Sequence, residues 1–313
     1  MKNLGRYGVW TPWQIWPDDP NEIADAAQEI EALGYGTVWI GGSPRDDLQI
    51  VEAVLAATST IVVGTSIVDI WTSDGPRLAA SHTRIRRSFP GRFYLGVGSG
   101  HAPTAESRGQ AYTRPLSRLK EFLTGLLAAS PAPSAAPASP ASPASPASPA
   151  SPANELMIAA LGPRTLETAA SLTAGALPYL MPPAHTASAR QIMGDGPLLA
   201  PEQKVHLGAD PEAARQGGRR ALRPYLSLPN YTRQLTRFGL TESDLTGDGS
   251  DRFIDSAVVW GPDDRIRTGI DAHLTAGADH VAVQVLLDSG APRSLPRPEW
   301  RRLARILKLP KTT

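Results

Sequence analysis

Ile61-Val62-Val63-Gly64-Thr65-Ser66-Ile67-Val68 is almost continuously apolar and rich in β-branched residues. A strand with one face in water alternates polar and apolar residues, whereas a parallel strand covered by helices on both faces does not. The stretch therefore reads as a buried parallel strand and demands helices before and after it in sequence. A helix from about Asp47 precedes it, with Ile50, Val51, Val54 and Leu55 as its apolar face, and residues 37–40 form the strand before that. Nearer the N-terminus lies a short apolar strand at 7–10. Asp19-Pro20 then caps a helix with Ile23, Ala26, Ala27, Ile30 and Leu33 at helical spacing, ended by Gly34.

The alternation continues downstream. Pro76 opens a helix that runs to about Arg87, Pro90-Gly91 turns the chain into a strand at 93–97, and a helix follows at 116–127. Beyond a break come a strand at 156–160, a helix at 163–172, a weaker strand at 177–181 and a helix at 185–192. A strand at 204–207 precedes a long, mainly helical region at 211–276, an eighth strand at 280–286 and a closing helix at 299–307. Eight strands with intervening helices predict an α/β fold of the (β/α)8 TIM-barrel type. A doubly wound open sheet shows the same alternation, and periodicity alone does not separate the two.

The break is compositional. Residues 128–153 are nearly all Ala, Ser and Pro and end in five Ser-Pro-Ala triplets. Such a stretch has little to bury and too many prolines for helix or sheet, so it is expected to be a disordered or partly polyproline II insertion. The chain is thus expected to be one barrel, with residues 1–127 as its first half and 154–313 as its second.

Composition narrows the function. The 313 residues carry 31 basic and 30 acidic side chains, leaving no cationic excess to neutralise nucleic-acid phosphates. There is no cysteine, which excludes disulfides, thiolate nucleophiles and Cys-ligated metal sites. Residues 1–10 lack the apolar core of a signal peptide, and no run of ~18 apolar residues is long enough to span a membrane. The expectation is a cytoplasmic protein acting on a small molecule.

In a barrel, chemistry gathers at the C-terminal ends of the strands. The residues there are rich in glycine and poor in clustered carboxylates and histidines. Gly96-Val97-Gly98-Ser99-Gly100-His101 follows the fourth strand, and its three glycines allow a planar or charged ligand close to the backbone, or simply make a tight turn. It lacks the spacing of a dinucleotide fingerprint. His101 is the best acid/base candidate, because an unperturbed imidazole titrates near ~6.5; a structural role is the competing reading. Leu161-Gly162-Pro163-Arg164-Thr165 leads into a helix N-terminus that can receive phosphate or serve only as a turn. Trp10, Trp13 and Trp16 either wall a ligand or pack an N-terminal loop. Arg84, Arg86 and Arg87 read as a solvated helix face. His82, His101, His185, His206, His273 and His280 never form a metal-binding sequence motif, so no metal is expected. A hydrolytic barrel gathering His101, His185, His206 and Asp210 is the alternative that would need one.

Three segments carry a resemblance. Residues 33–40, Leu-Gly-Tyr-Gly-Thr-Val-Trp-Ile, residues 61–67, and Gly91-Arg92-Phe93-Tyr94-Leu95-Gly96-Val97-Gly98-Ser99-Gly100-His101 resemble the bacterial luciferase-like superfamily. Within it, they are most similar to the coenzyme F420-dependent oxidoreductases of actinobacteria. The resemblance spans nearly the whole chain outside the Ser-Pro-Ala tract. It implies a barrel that binds F420, a deazaflavin, at the strand ends and transfers a hydride to or from an organic substrate. The alternatives are an FMN-dependent monooxygenase of the same superfamily and a non-catalytic deazaflavin-binding barrel, the latter suggested by Gly41-Gly42; the resemblance also implies a homodimer. Relatives carry a non-proline cis peptide after the third strand that backs the cofactor ring; the matching bond is Ser66-Ile67. A glycine turn after the fifth strand, here Leu161-Gly162, helps hold the cofactor phosphate. Trp10, Gly41, Gly98, Ser99 and Gly100 complete the expected cofactor site, and His101 is the expected proton carrier. Two departures stand out: Gly41-Gly42 replaces an acid or histidine of some relatives, and His101 replaces a glutamate.

Overall fold

The structure, a computed structural model, describes residues 4–129 and 152–310. Its strands are β1 (Tyr7–Pro12), β2 (Thr37–Gly41), β3 (Val62–Thr65), β4 (Val68–Asp69), β5 (Phe93–Gly98), β6 (Leu156–Ile158), β7 (Gly175–Ala176), β8 (Leu198–Leu199), β9 (Glu202–His206), β10 (Val258–Trp260) and β11 (Val281–Leu286). Neighbouring strands pair in parallel, in the order β10-β9-β11-β1-β2-β3-β5-β6-β7-β8, with β4 beside β5. The ends of this path meet. β8 and β9 are two halves of one bent course: Ala200 N donates to Ala176 O and Glu202 N to Pro178 O, while Ala282 N donates to Pro201 O on the other side. The sheet therefore closes into eight courses, with β3–β4 and β8–β9 as single bent ones, and β10 lies outside the ring against β9. Closure is what excludes the open doubly wound sheet: the continuous β8–β9 course bonds β7 on one side and β11 on the other.

Alternation along each strand sorts side chains between two cores. Val9, Val38, Ile40, Val63, Phe93, Leu95, Val205 and Val283 point outward to the helical layer. Trp10, Trp39, Val62, Tyr94, Met157, Ala200 and Ala282 fill the barrel. The helices start where short polar side chains can satisfy free backbone amides. Asp19 accepts from Asn21 N at 2.8 Å, and Asp74 from Arg77 N at 3.0 Å.

The structure corrects the sequence reading in several places. Residues 61–68 are not one strand: the course ends at Thr65, the Ser66–Ile67 peptide is cis as the resemblance implied, and pairing resumes at Val68 against β5. The weaker strand lies at Gly175–Ala176 rather than 177–181, where Leu180 has a positive φ of 62° that no strand accommodates. The seventh course begins at Leu198, not at Lys204. The region 211–276 is mainly helical but contains β10. Residues 128–129 end the helix Pro115–Ala129, and 152–153 begin the turn Pro152–Glu155; the rest of the Ser-Pro-Ala tract lies outside the described residues. Arg86 does not belong to a solvated face: its guanidinium pairs with the buried Glu155 carboxylate, while Arg84 reaches Glu52.

Three buried histidines make the fold acid-sensitive. Burial pushes His82 down to about 3 and His273 and His280 down to about 4. The unfolded chain binds their protons near ~6.5, so between that pH and about 4 it holds more protons than the native state. Stability is therefore expected to fall as pH drops through this window. Urea denaturation at pH 7 and pH 5 checks this; an unchanged midpoint would contradict it.

Candidate active site

The C-terminal mouth of the barrel is built by inward-facing residues. Trp10 lies in the second half of β1, and its indole occupies the space beside Gly41, where a Cβ would come within 2.1 Å of the ring. Gly41 thus makes space for a tryptophan and leaves no room for a side chain of its own. Gly42 receives Trp13 Nε1 on its carbonyl at 3.0 Å, so Trp13 closes the rim. Trp16 faces the outer core and donates to Thr11 Oγ1 at 2.8 Å, which makes it a packing residue.

The glycine run after β5 is braced from behind. A Cβ on Gly98 would meet the Ile67 side chain at 3.0 Å, so this glycine makes room for the residue that follows the cis bond. Gly100 has φ +52°, and a Cβ there would lie 2.0 Å from Asp69 Oδ2. Asp69 also accepts from Trp71 N at 2.9 Å, and Trp71 Nε1 donates to Ser99 O at 2.8 Å. His101 is then set at the N-cap of the short helix Ala102–Glu106, its ring 5.7 Å from that of Tyr231 and 6.5 Å from that of Tyr225. Burial lowers the His101 pKa, so the imidazole is neutral at physiological pH.

Tyr225 and Tyr231 come from the helical region after β9, within Arg223–Ser227 and the helix Pro229–Arg237. They meet Tyr179, from the segment after β7, with ring centroids 5.5 and 6.3 Å apart. Tyr179 stands 5.5 Å from Trp10. Its hydroxyl lies 3.1 Å from the Tyr225 hydroxyl and donates to Gln284 Oε1 at 3.0 Å. Burial raises the pKa of both phenols, which keeps them protonated donors. Beneath the rings, Lys204 Nζ donates to Glu202 Oε2 at 2.9 Å and sits 3.8 Å from the Tyr179 centroid. Around this cluster three buried polar atoms have no protein partner: Trp10 Nε1, His101 Nδ1 and Glu202 Oε1. Buried polar atoms are normally satisfied, so orphans gathered at one place mark where a ligand completes the bonding.

Leu161 and Gly162 lie at the rim. The Leu161 carbonyl accepts from His185 Nε2 at 2.8 Å. Gly162 is the N-cap of the helix Pro163–Leu172 and provides no side chain to cap it. A Cβ there would meet only Gln234 Nε2, at 3.6 Å. Helix N-termini attract anions. Ser66 and Ile67 are half-buried on the same face. The remaining histidines do not assemble a metal centre: His206 bonds Asp288, His273 bonds Gln203 and Thr186, and His280 bonds Trp39. Among the described residues no three potential ligands converge.

Sequence reading names His101 and the glycines, which the structure places at the barrel mouth, and does not name the tyrosines, Gln284 and the Glu202–Lys204 pair that lie beside them. An opposite-charge pair at i and i+2, Glu202 and Lys204, is the available signal, since such residues share one face of a strand. The strand was started at Lys204, which hid it. The tyrosines had no signal, because they come from non-adjacent segments.

The closed parallel barrel, with its polar groups at the strand ends and a cis bond after the third course, defines a (β/α)8 enzyme-type barrel. The family model for luciferase-like monooxygenases matches residues 5–280, and the chain belongs to that family. A 5,10-methylenetetrahydromethanopterin reductase of Methanolobus tindarius is 28% identical over 113 residues, 35% of each chain, so the match spans about a third of that relative. An F420-dependent secondary alcohol dehydrogenase, solved with an F420–acetone adduct, superposes with a TM-score of 0.67 at 16% identity, covering 98% of this chain and 99% of that one. The oxygenating constituent of 3,6-diketocamphane monooxygenase from Pseudomonas putida, a type II Baeyer–Villiger enzyme with FMN, superposes at 0.67 and 14% identity, covering 98% and 97%. At these identities the two structures share the fold with this chain. No helix among the described residues is long and apolar enough to cross a membrane.

Proposed function

We propose that the protein is an oxidoreductase that binds coenzyme F420 at the barrel mouth and interconverts a small alcohol and its carbonyl compound. The observation that carries this reading is that three unpartnered buried atoms, Trp10 Nε1, His101 Nδ1 and Glu202 Oε1, belong to residues of one aromatic and polar cluster. Donors and acceptors on apolar walls suit a planar heteroaromatic ring with polar edges. The F420-bound structural neighbour supports a deazaflavin, and the FMN-bound monooxygenase with the same TM-score supplies the second reading, FMN. When bound, a deazaflavin supplies the hydride acceptor or donor, and the protein is left to orient the substrate, exclude water and move one proton.

The residues present fit those tasks. Trp10, the Ser66–Ile67 bulge and Gly98 would flank the ring, and the uncapped amides after Gly162 would receive the phosphate. His101, neutral because burial lowers its pKa, accepts the hydroxyl proton as an alcohol is oxidised. The sign of this shift sets the pH behaviour. Alcohol oxidation is expected to hold its rate from neutral pH downward until His101 protonates below ~6.5, and carbonyl reduction is expected to quicken on acidification. Rate profiles in both directions test this; parallel profiles would contradict it.

The reading as a whole is tested by titrating the protein with oxidised F420 and with FMN and following absorbance. Saturable binding of F420 with weaker FMN binding is expected, and preference for FMN would replace the reading with that of a monooxygenase. Gly162→Val is expected to cost little stability, because φ is −88° and the added Cβ meets only Gln234 Nε2, at an ordinary contact distance of 3.6 Å. It should weaken F420 binding by screening the helix N-terminus. Unchanged affinity would place the phosphate elsewhere.

A further inference from the structure

Glu202 and Lys204 stand inside the barrel at 3% and 1% exposure, directly beneath the phenol of Tyr179. Burial disfavours both charges, and each offsets the penalty of the other. Wherever the shared proton sits, the pair is neutral as a unit. The remaining groups on the wall, Trp10, Tyr179, Tyr225, Tyr231, Gln284 and neutral His101, carry no charge. Arg45 is exposed and stacked on Trp13 at 5.6 Å.

We propose, resting on the function argued above, that the Glu202–Lys204 pair is the specificity determinant of this pocket: it cancels the ammonium inside the barrel and confines the substrate to uncharged alcohols and ketones. Two independent observations support it. Lys204 donates to Glu202 and faces the Tyr179 ring, so its charge is already offset by a buried carboxylate and is not held in reserve for a carboxylate or phosphate ligand. Glu202 Oε1 is buried with no partner, so the uncompensated atom of the pair is an acceptor and repels anions further. An anion entering such a wall loses its hydration without gaining a counter-charge. An uncharged carbonyl or hydroxyl instead finds the Tyr179–Tyr225 phenols as hydrogen-bond partners on an aromatic surface.

The test measures binding of a matched pair of probes, 2-acetylnaphthalene and 6-acetyl-2-naphthoate, to the cofactor-free full chain by isothermal titration calorimetry. The wild type is expected to bind the neutral ketone at least about tenfold more tightly than the carboxylate. Glu202→Gln exposes the ammonium and is expected to invert that order, and adding Lys204→Met to it should remove the gain for the carboxylate. Gln284→Lys places a new ammonium beside the Tyr179 hydroxyl and is expected to raise carboxylate affinity as well, which keeps the test available if Glu202→Gln does not fold. Equal or tighter binding of the carboxylate by the wild type, no binding of either probe, or an unaltered ratio in the folded variants would overturn the proposal. Because no cofactor is present, these outcomes are independent of the F420 titration, whose failure would instead overturn the cofactor assignment.

Discussion

Trp39→Ala is expected to destabilise the protein by about 3–5 kcal/mol, the usual loss when a large aromatic side chain is removed from a packed interior. Trp39 is fully buried at the centre of β2 and faces into the barrel. Its Nε1 donates to His280 Nε2 at 2.9 Å, and His280 Nδ1 lies 2.8 Å from Gly5 O. A neutral imidazole has one donor and one acceptor nitrogen. Nδ1 must donate to the carbonyl, so Nε2 is free to accept from the indole. Removing the indole therefore leaves a cavity and an orphaned acceptor together. The neighbouring course is shaped around this ring, since a Cβ on Gly64 would lie 2.3 Å from it. Gly64→Ala should accordingly destabilise the wild type and partly refill the space in Trp39→Ala, a coupling that a double-mutant cycle reads. Domains of this kind have ~5–15 kcal/mol in total, so a large fraction of the stability is at stake. A denaturation midpoint within error of wild type would show that the ring is not packed as described.

His101→Gln is expected to lower turnover by about 10²–10⁴, the range for loss of general acid/base assistance, with F420 affinity nearly unchanged. Glutamine preserves much of the size and polarity of imidazole but exchanges no proton near neutrality. The short helix Ala102–Glu106 and the braced Ser99–Gly100 turn hold the backbone at this position, so the substitution should not move its neighbours. Substrate screening followed by single-turnover measurement of the deazaflavin band in wild type and variant provides the rate. Wild-type rates in the variant would reduce His101 to part of the wall. Loss of cofactor binding would make it a cofactor ligand instead.

Much of the fold was legible because it rests on local signals. Asp19, Pro20 and Gly34 bound the first helix within the sequence itself, and the apolar run around Val62 and Val63 needs no partner to be read as a covered strand. The misplaced elements are those whose pairing is short. β7 and β8 have two residues each, too few for any periodicity, and they exist because the bent course through Ala200 and Pro201 meets both β7 and β11. Of the candidate site, His101 and the glycines were legible from their place after a strand. Gly41 was read as a ligand position, and the structure shows it making space for Trp10.

By itself the sequence determined the alternation of strands and helices, the glycine-rich strand ends with His101 among them, and the absence of thiol chemistry, because each follows from residue type and short-range spacing. Only the tertiary structure decided that the sheet closes, since closure needs β11 to return beside β1 and one bent course, β8–β9, to bond both β7 and β11. It also decided the polarity of the pocket. Tyr179, Tyr225, Tyr231 and Gln284 reach one another from separate segments, and Glu202 and Lys204 become a neutral pair rather than two surface charges because the barrel buries them together. Side-chain charge is written in the sequence, but whether it is solvated, paired or aimed at a ligand depends on which distant residues share its surroundings.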